Sequence, residues 1–104
     1  MHDEEPIIPL DLISRPRTSW DVPIEVSTYS GYKADERPVS FTLEGRRIGV
    51  LEILFAWIEE DSQGTLRRYC YEVVTDDHER RILIFNATDG HWFIRLEKGV
   101  KTAE

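Results

Sequence analysis

The residues most able to bind a metal or to act in catalysis are three histidines and one cysteine, which are His2, His78, His91 and Cys70. No two of them have the spacing of a metal site, such as C-x-x-C or H-E-x-x-H. Cys70 lies between two tyrosines in a predicted strand, so we expect a small buried apolar residue rather than a nucleophile. The chain has no G-x-S-x-G, P-loop or G-x-G-x-x-G motif. The sequence therefore predicts no metal, no cofactor and no catalytic residue, and hence no enzyme.

Three arginine doublets are the second feature with a chemical use. Each stands near the start of a predicted strand, and alternation along a strand sends one member of a doublet to each face. One interpretation is that they pair with cross-strand acids such as Glu44, Glu59, Glu72 and Glu79. The other is a patch that binds an anionic ligand or nucleic acid, with Tyr32, Trp57 or Phe93 stacking on the bases. The candidate binding residues are Arg46, Arg47, Arg67, Arg68, Arg80, Arg81, Trp57 and Phe93.

The strand order limits how far these doublets can converge. Successive strands of an antiparallel meander start at opposite ends of the sheet. Arg67 and Arg68 are therefore expected to lie apart from the other two doublets.

Charge and composition narrow the class of protein. The 104 residues carry a net charge of −7, and most of the excess acid lies in the first 36 residues. This sign disfavours general electrostatic binding of nucleic acid, although a local basic patch is compatible with it. With a single cysteine, no signal-like start and no apolar run near 18 residues, we expect a cytoplasmic protein that does not enter a membrane.

The chain divides into an arm and one folded domain. All five prolines lie in the first 38 residues, and no regular period persists from residue 1 to about 20. We predict a flexible acidic arm over residues 1–21, which either packs along the domain or docks on a partner, a β domain over residues 22–99 and a tail over residues 100–104. Two half-buried strands are expected early in the domain, in VPIEVSTY and in PVSFTL, the second with Val39, Phe41 and Leu43 on one face.

Turn chemistry predicts the pairing of the last three strands. Asp89-Gly90 suits a two-residue type I′ turn, which would place Phe85 opposite Ile94 and Leu83 opposite Leu96. One face of this hairpin is then wholly apolar. Before it, TDDHE predicts a loop with an odd number of residues, because that count places Tyr71 opposite Leu83 on the same face.

Residues 43–60, LEGRRIGVLEILFAWIEE, fit two structures. Val50, Ile53, Leu54, Trp57 and Ile58 have the spacing of an amphipathic helix. A strand would place Leu51, Ile53, Phe55 and Trp57 on one face and needs a bulge near Val50 or Leu51. The internal glycine and the following turn cluster favour the strand. The expected fold class is all-β, a five- to six-stranded, strongly curled antiparallel meander or small open barrel, with a single helix over 50–60 as the alternative.

The segments PIEV, PVSFTLEGRRIGVLEILFAW, YCYEVVTDD and FNATDGHWFI resemble a family of small prokaryotic proteins known as a domain of unknown function. The family pattern is P-x-x-F-x-x-x-G-R-x-x-x-V followed by E-V-L-x-x-W and a terminal G-x-W-x-L. Matching positions here are Pro38, Phe41, Gly45, Arg46, Val50, Glu52, Leu54, Trp57, Gly90 and Trp92, with Ile53 in place of the valine. These matches are turn formers and core candidates, so the resemblance implies a fold and no chemistry.

A weaker likeness joins RRYCYEVVTDDHERRILIFNATDGHWFI to tail segments of proteins similar to Y-family DNA polymerases. It implies an accessory in DNA repair or translesion synthesis. Our principal expectation is a small cytoplasmic binding or adaptor module that acts through protein–protein contacts, with a protein partner or a second copy. The alternative is a nucleic-acid-associated accessory that uses the arginine doublets.

Overall fold

A computed structural model describes residues 6–10, 19–28 and 37–97. This part of the chain consists of seven β-strands joined by turns. They are β1 (Ile7–Pro9), β2 (Ser19–Thr28), β3 (Pro38–Leu43), β4 (Arg46–Glu60), β5 (Arg67–Thr75), β6 (Arg80–Asn86) and β7 (His91–Glu97). The predicted all-β class is confirmed, and residues 50–60 are strand rather than helix.

Six of the strands close into an antiparallel barrel. The order is β4-β3-β2-β7-β6-β5, and a further pairing of β4 with β5 completes the ring. Strand β1 is the additional strand and pairs in parallel with the end of β4, where Ile8 lies beside Glu59. Closure leaves few unpaired strand edges.

Strands β4 and β2 each pair with two different strands along their length. In β4, residues 46–49 pair with β3, whereas residues 50–60 pair with β5. In β2, residues 19–24 pair with β7, whereas residues 25–28 pair with β3. Each long strand therefore changes neighbours part-way along, because β3 is only six residues long.

The hydrophobic core lies inside the barrel and takes a side chain from nearly every strand. Its fully buried members are Phe41, Ile48, Tyr71, Val73, Leu83 and Ile94. On one side the ring of Trp92 packs against Tyr71 and Phe85, with ring centroids 6.0 and 5.2 Å apart.

Strand β4 contains the predicted bulge and a second one that we did not predict. The register with β5 shifts between Val50 and Glu52, as expected, and again between Ile53 and Phe55. The second shift makes the predicted face wrong, since Ile53 packs against the core while Phe55 lies on the opposite face. Phe55 is 51% exposed.

These bulges also explain the helix-like pattern. The β4 residues that pack against or join the core are Ile48, Val50, Ile53, Ala56 and Ile58, so two spacings of three follow Val50. Each bulge adds one residue to the usual spacing of two. The resulting spacing of three resembles the period of an amphipathic helix.

Val39 departs from the predicted alternation of β3. Its side chain is 47% exposed, whereas Phe41 is buried. A register shift opposite it lets Ser27 pair with Ser40 and Thr28 with Pro38, so that Val39 is the extra residue. The prediction that Val39 shares the face of Phe41 was therefore wrong.

The β6–β7 hairpin has the predicted faces but a longer loop. Asn86 pairs with His91 and Phe85 with Trp92, so the loop is residues 87–90 and the register differs by two residues from the prediction. The Asn86 carbonyl accepts a hydrogen bond from Gly90 N–H at 2.8 Å, and the Asp89 carboxylate accepts one from His91 N–H at 3.1 Å. A shift of two preserves the face of every side chain.

The two-residue type I′ turn occurs elsewhere, at Glu44-Gly45. Both residues have positive φ, at 53° and 78°, and Leu43 pairs directly with Arg46. This is the geometry that suits a tight hairpin.

The predicted odd-numbered loop after β5 is confirmed, because Val74 pairs with Arg80 and Tyr71 with Leu83. Asp76 in this loop exchanges two hydrogen bonds with Gly49. Its carboxylate accepts from Gly49 N–H at 3.0 Å, and its own N–H donates to the Gly49 carbonyl at 2.9 Å. These bonds hold β4 at the point where it changes neighbours.

At the start of the chain, residues 7–9 of the predicted arm form β1, and β2 begins at Ser19. Residues 19–21 therefore belong to the barrel and not to a flexible arm, whereas residues 1–5 and 11–18 of the predicted arm and the predicted tail lie outside the described residues. Over the described ranges, no helix is long and apolar enough to cross a membrane.

We expect Leu83→Ala to lower the free energy of unfolding by about 2–5 kcal/mol, because Leu83 is fully buried and the substitution leaves a cavity. Leu51→Ala is the matched control. Its side chain is 61% exposed, so a change within about 0.5 kcal/mol is expected. Urea unfolding followed by tryptophan fluorescence measures both, and equal losses would contradict the assignment of the core face.

Candidate functional site

The arginine doublets are mostly engaged with acids. Four of the six guanidinium groups lie within 4.0 Å of a carboxylate: Arg67 with Glu60 at 2.8 Å, Arg68 with Asp21 at 3.5 Å, Arg80 with Glu72 at 3.4 Å and Arg81 with Asp77 at 3.1 Å. Two of these pairs, Arg67–Glu60 and Arg80–Glu72, join neighbouring strands as in the first sequence interpretation, and Glu72 is the one acid named there that pairs with a doublet in the described residues. The Arg80 side chain is 71% exposed, so its pair with Glu72 contributes little stability, whereas Arg68 and Arg81 are largely buried.

The doublets also do not converge. Arg67 lies opposite Glu60 at one end of β4, whereas Arg80 lies opposite Val74 at the other end of β5. Arg46 and Arg47 are exposed at the start of β4 and make no ion pair with the described residues. The structure therefore does not bring the six arginines into one patch.

The two aromatic candidates lie on the face opposite the core. Trp57 on β4 pairs with Cys70 on β5, and Phe93 on β7 pairs with Ile84 on β6. The Trp57 indole donates a hydrogen bond to Glu59 at 3.0 Å, and its ring stacks on Phe55 with centroids 5.6 Å apart. Both side chains are partly buried.

The two described histidines, His78 and His91, lie in solvent-exposed positions. His78 is exposed in the β5–β6 loop with a φ of 66°, and His91 is exposed beside Asp89 at 3.5 Å. Groups of three potential ligands are absent from the described ranges. His2 and Tyr32 lie outside those ranges.

A buried group of charges, which the sequence analysis did not identify, lies on the face opposite the core. Arg95 on β7 contacts Asp21 on β2 at 3.3 Å and Glu59 on β4 at 3.5 Å, and Arg68 on β5 also reaches Asp21. The side chains of Arg95 and Glu59 are 7% and 3% exposed. Two acids and two arginines thus balance one another and connect four strands.

Hydrogen bonding within this group is incomplete. The Nη2 atom of Arg95 and the Nε atom of Arg68 are buried without a hydrogen-bond partner among the described residues. A buried ion pair offsets its desolvation only when its partners stay together. The arrangement therefore restrains the relative positions of the four strands, while two buried guanidinium N–H groups keep no partner among the described residues.

Cys70 is buried next to these charges, as predicted from its position between two tyrosines. Burial raises the pKa of the Cys70 thiol, and the nearby Glu59 carboxylate raises it further. The thiolate is the reactive form of cysteine. The thiol is therefore protonated at neutral pH, which suits a packing role.

An exposed group of large apolar side chains is the clearest candidate for a binding surface. Leu51, Leu54 and Phe55 are 61%, 38% and 51% exposed, and all three lie within five residues of β4. Leu51 is the extra residue at the first register shift with β5, and Leu54 is the extra residue at the second. We call these three residues the β4 apolar patch. Such a cluster on a small protein typically marks a contact surface.

The backbone beside the β4 apolar patch has an open edge in the described part of the chain. One edge of residues 50–57 pairs with β5, whereas β3 pairs only up to Gly49 and β1 only from Ile58 onward. Sequence periodicity missed this surface because it assigned Leu51 and Phe55 to a common buried face with Ile53. The second bulge carries no residue signature that would have revealed it.

Comparisons with models of protein families, with curated proteins and with solved structures gave no match. Both family resemblances noted in the sequence therefore stay predictions.

We expect Arg95→Met to destabilise the protein by about 3–5 kcal/mol, because Asp21 and Glu59 would keep their charges without the buried cation. Arg46→Met is the control, since Arg46 is exposed and unpaired, and it should change stability by less than about 0.5 kcal/mol. Urea unfolding measures both. Equal stability of the two variants would show that Arg95 is not needed to balance the buried acids.

We expect Cys70 to resist a soluble disulfide reagent at pH 8 in the native protein, because burial keeps the thiol protonated and inaccessible. One equivalent should react after unfolding in urea, which is the internal control. Rapid labelling of the folded protein, followed by the absorbance of the released thiol, would contradict a rigidly packed Cys70.

Proposed function

We propose that this protein is a non-enzymatic binding module that docks on another protein through the β4 apolar patch. The observation that carries the proposal is the exposure of Leu51, Leu54 and Phe55 on one strand, beside an edge that no described residue pairs with. Burial of such side chains at an interface is worth roughly 1.5–3 kcal/mol each. The cytoplasmic setting expected from the sequence belongs to this proposal.

The chemistry of the patch specifies its partner. Glu52 is exposed within it, and Glu72 lies opposite Phe55. With the net charge of −7, these acids favour a partner whose apolar surface has a basic rim. A second copy of the chain would present the same acids to one another, so a different protein fits better.

The contact is made by side chains rather than by strand addition. The two bulges interrupt the regular ladder of β4 at Leu51 and Leu54. Bulges are a device by which natural sheets block edge-to-edge pairing. The partner is therefore expected to present an apolar surface, such as the face of an amphipathic helix, instead of a free strand.

The nucleic acid alternative has less support. Four of the six arginines on which it relies are paired with carboxylates, and the doublets lie at two ends of the barrel. No described feature favours it over a protein partner, and it stays a prediction.

The test compares capture of proteins from a native lysate by three immobilised forms: wild type, the double variant Leu51→Ser with Phe55→Ser, and Val39→Ser. Val39 is a matched control because it is 47% exposed on β3, outside the patch. We expect wild type and Val39→Ser to enrich the same protein, and the double variant to bind it at least about tenfold less.

Circular dichroism of the three forms is the control for folding. Capture that disappears after nuclease treatment would support the nucleic acid alternative. A mass that rises with concentration in light scattering, and is lost in the double variant, would identify a second copy as the occupant. Equal capture by all three forms would overturn the role of the patch.

A further inference from the structure

The exposed ring of Phe55 is held in place by its neighbours on β4. It stacks on the Trp57 ring, with centroids 5.6 Å apart and an angle of 27° between the ring planes. The Trp57 indole is fixed in turn by its hydrogen bond to Glu59, whose side chain is 3% exposed. Phe55 itself is 51% exposed. An aromatic ring that is restrained before binding loses less freedom on binding, which favours a contact at this position.

Two carboxylates flank this ring on the same face of the sheet. Glu72 on β5 is the direct register partner of Phe55, and its chain neighbour Tyr71 is in the core, so Phe55 and Glu72 share the opposite face. Side chains of register partners in an antiparallel pair have Cβ atoms about 4.5–5.5 Å apart. Glu52 lies on that face too, since it pairs with Val74, two residues beyond Glu72.

The negative charge beside the ring is only partly compensated within the described residues. Arg80 contacts Glu72 at 3.4 Å, but the Arg80 side chain is 71% exposed. Glu52 is exposed and forms no ion pair with another described residue. Solvent-exposed ion pairs are weak because water screens them and because two long side chains must be ordered. The Phe55 ring therefore lies beside two acids and one weakly held cation.

We propose that this position binds an arginine side chain of the protein partner, with the guanidinium stacked on Phe55 and hydrogen-bonded to Glu72. The inference rests on the proposed function, since this arginine belongs to the protein that docks on the β4 apolar patch. A planar guanidinium can stack on a ring while it donates hydrogen bonds to a carboxylate, whereas a lysine ammonium is a strongly hydrated point charge. Arg80 competes for the same carboxylate, so the protein's own cation weakens the contact.

The test uses three capped helical peptides that present leucines along one face and a single arginine, citrulline or lysine at the border of that face. Citrulline has nearly the shape of arginine but no charge. We expect the arginine peptide to bind the full chain at least about tenfold more tightly than the citrulline peptide, and more tightly than the lysine peptide. Isothermal titration calorimetry measures the affinities, and the NMR signal of the Trp57 indole N–H reports binding beside Phe55.

Charge-neutral variants of the protein assign the contact. Glu72→Gln should reduce the preference for arginine over citrulline to about twofold or less, with little change in citrulline binding. Arg80→Gln removes the competing cation and should strengthen binding of the arginine peptide about two- to fivefold. Glu44→Gln and Arg46→Gln are the matched controls, because they change the net charge equally at exposed positions in and beside the β3–β4 turn. Neither control should alter the preference.

Equal affinity for the arginine and citrulline peptides, or for the arginine and lysine peptides, would overturn the arginine contact. Absence of binding by all three peptides up to about 1 mM would overturn it as well. The proposed function is judged separately by capture from the lysate. Equal binding of all three peptides that Leu51→Ser weakens would keep the β4 apolar patch as the docking surface and reject only the arginine contact.

Discussion

The structure depends on the mismatch between a short strand and two long ones. Strand β3 has six residues, whereas its neighbours β2 and β4 have ten and fifteen. Backbone donors and acceptors in a sheet need partners, so each long strand takes a neighbour along its other edge beyond the end of β3. Strand β4 does so at Gly49, where Asp76 hydrogen-bonds both to its N–H and to its carbonyl. A side chain at this position would meet the Asp76 carboxylate, since a Cβ would lie 3.1 Å from Oδ2.

The same mismatch exposes the β4 apolar patch and opens a cleft beside β2. The pairing of β4 with β3 ends at Gly49, so one edge of residues 50–57 stays open in the described part of the chain. The bulges leave Leu51 and Leu54 exposed beside this edge. Strand β2 pairs with β7 up to Ile24 and with β3 from Glu25 onward, and a cleft of about 470 Å³ opens at this point. Both features thus lie at the corners of the barrel, while Tyr71, Leu83 and Ile94 are buried in its core. A rigid scaffold that holds variable corners is a common basis for binding proteins.

Sequence reasoning succeeded where turn chemistry and alternation acted together. The face of Tyr71, Leu83 and Ile94 could be predicted because a register error of two residues leaves every side chain on the same face. It failed at Phe55 and Val39, since a bulge inserts one residue and reverses all that follow, yet has no required residue type. The cleft was not predictable either, because it depends on the residue at which β2 changes neighbours. Arginine doublets were recognisable as a pattern, but only the register shows which carboxylates they meet.

The buried charges explain how so open a barrel keeps its shape. Asp21 and Arg95 lie on β2 and β7, which meet only along the first part of β2, while Glu59 and Arg68 lie on the long hairpin of β4 and β5. Contacts between the two pairs cross the face opposite the core, so they resist separation of the two halves of the sheet. Apolar contacts could supply the same energy, but their direction is unspecific. Ion pairs between fixed positions select one register, and that selection keeps the exposed leucines of β4 in constant geometry.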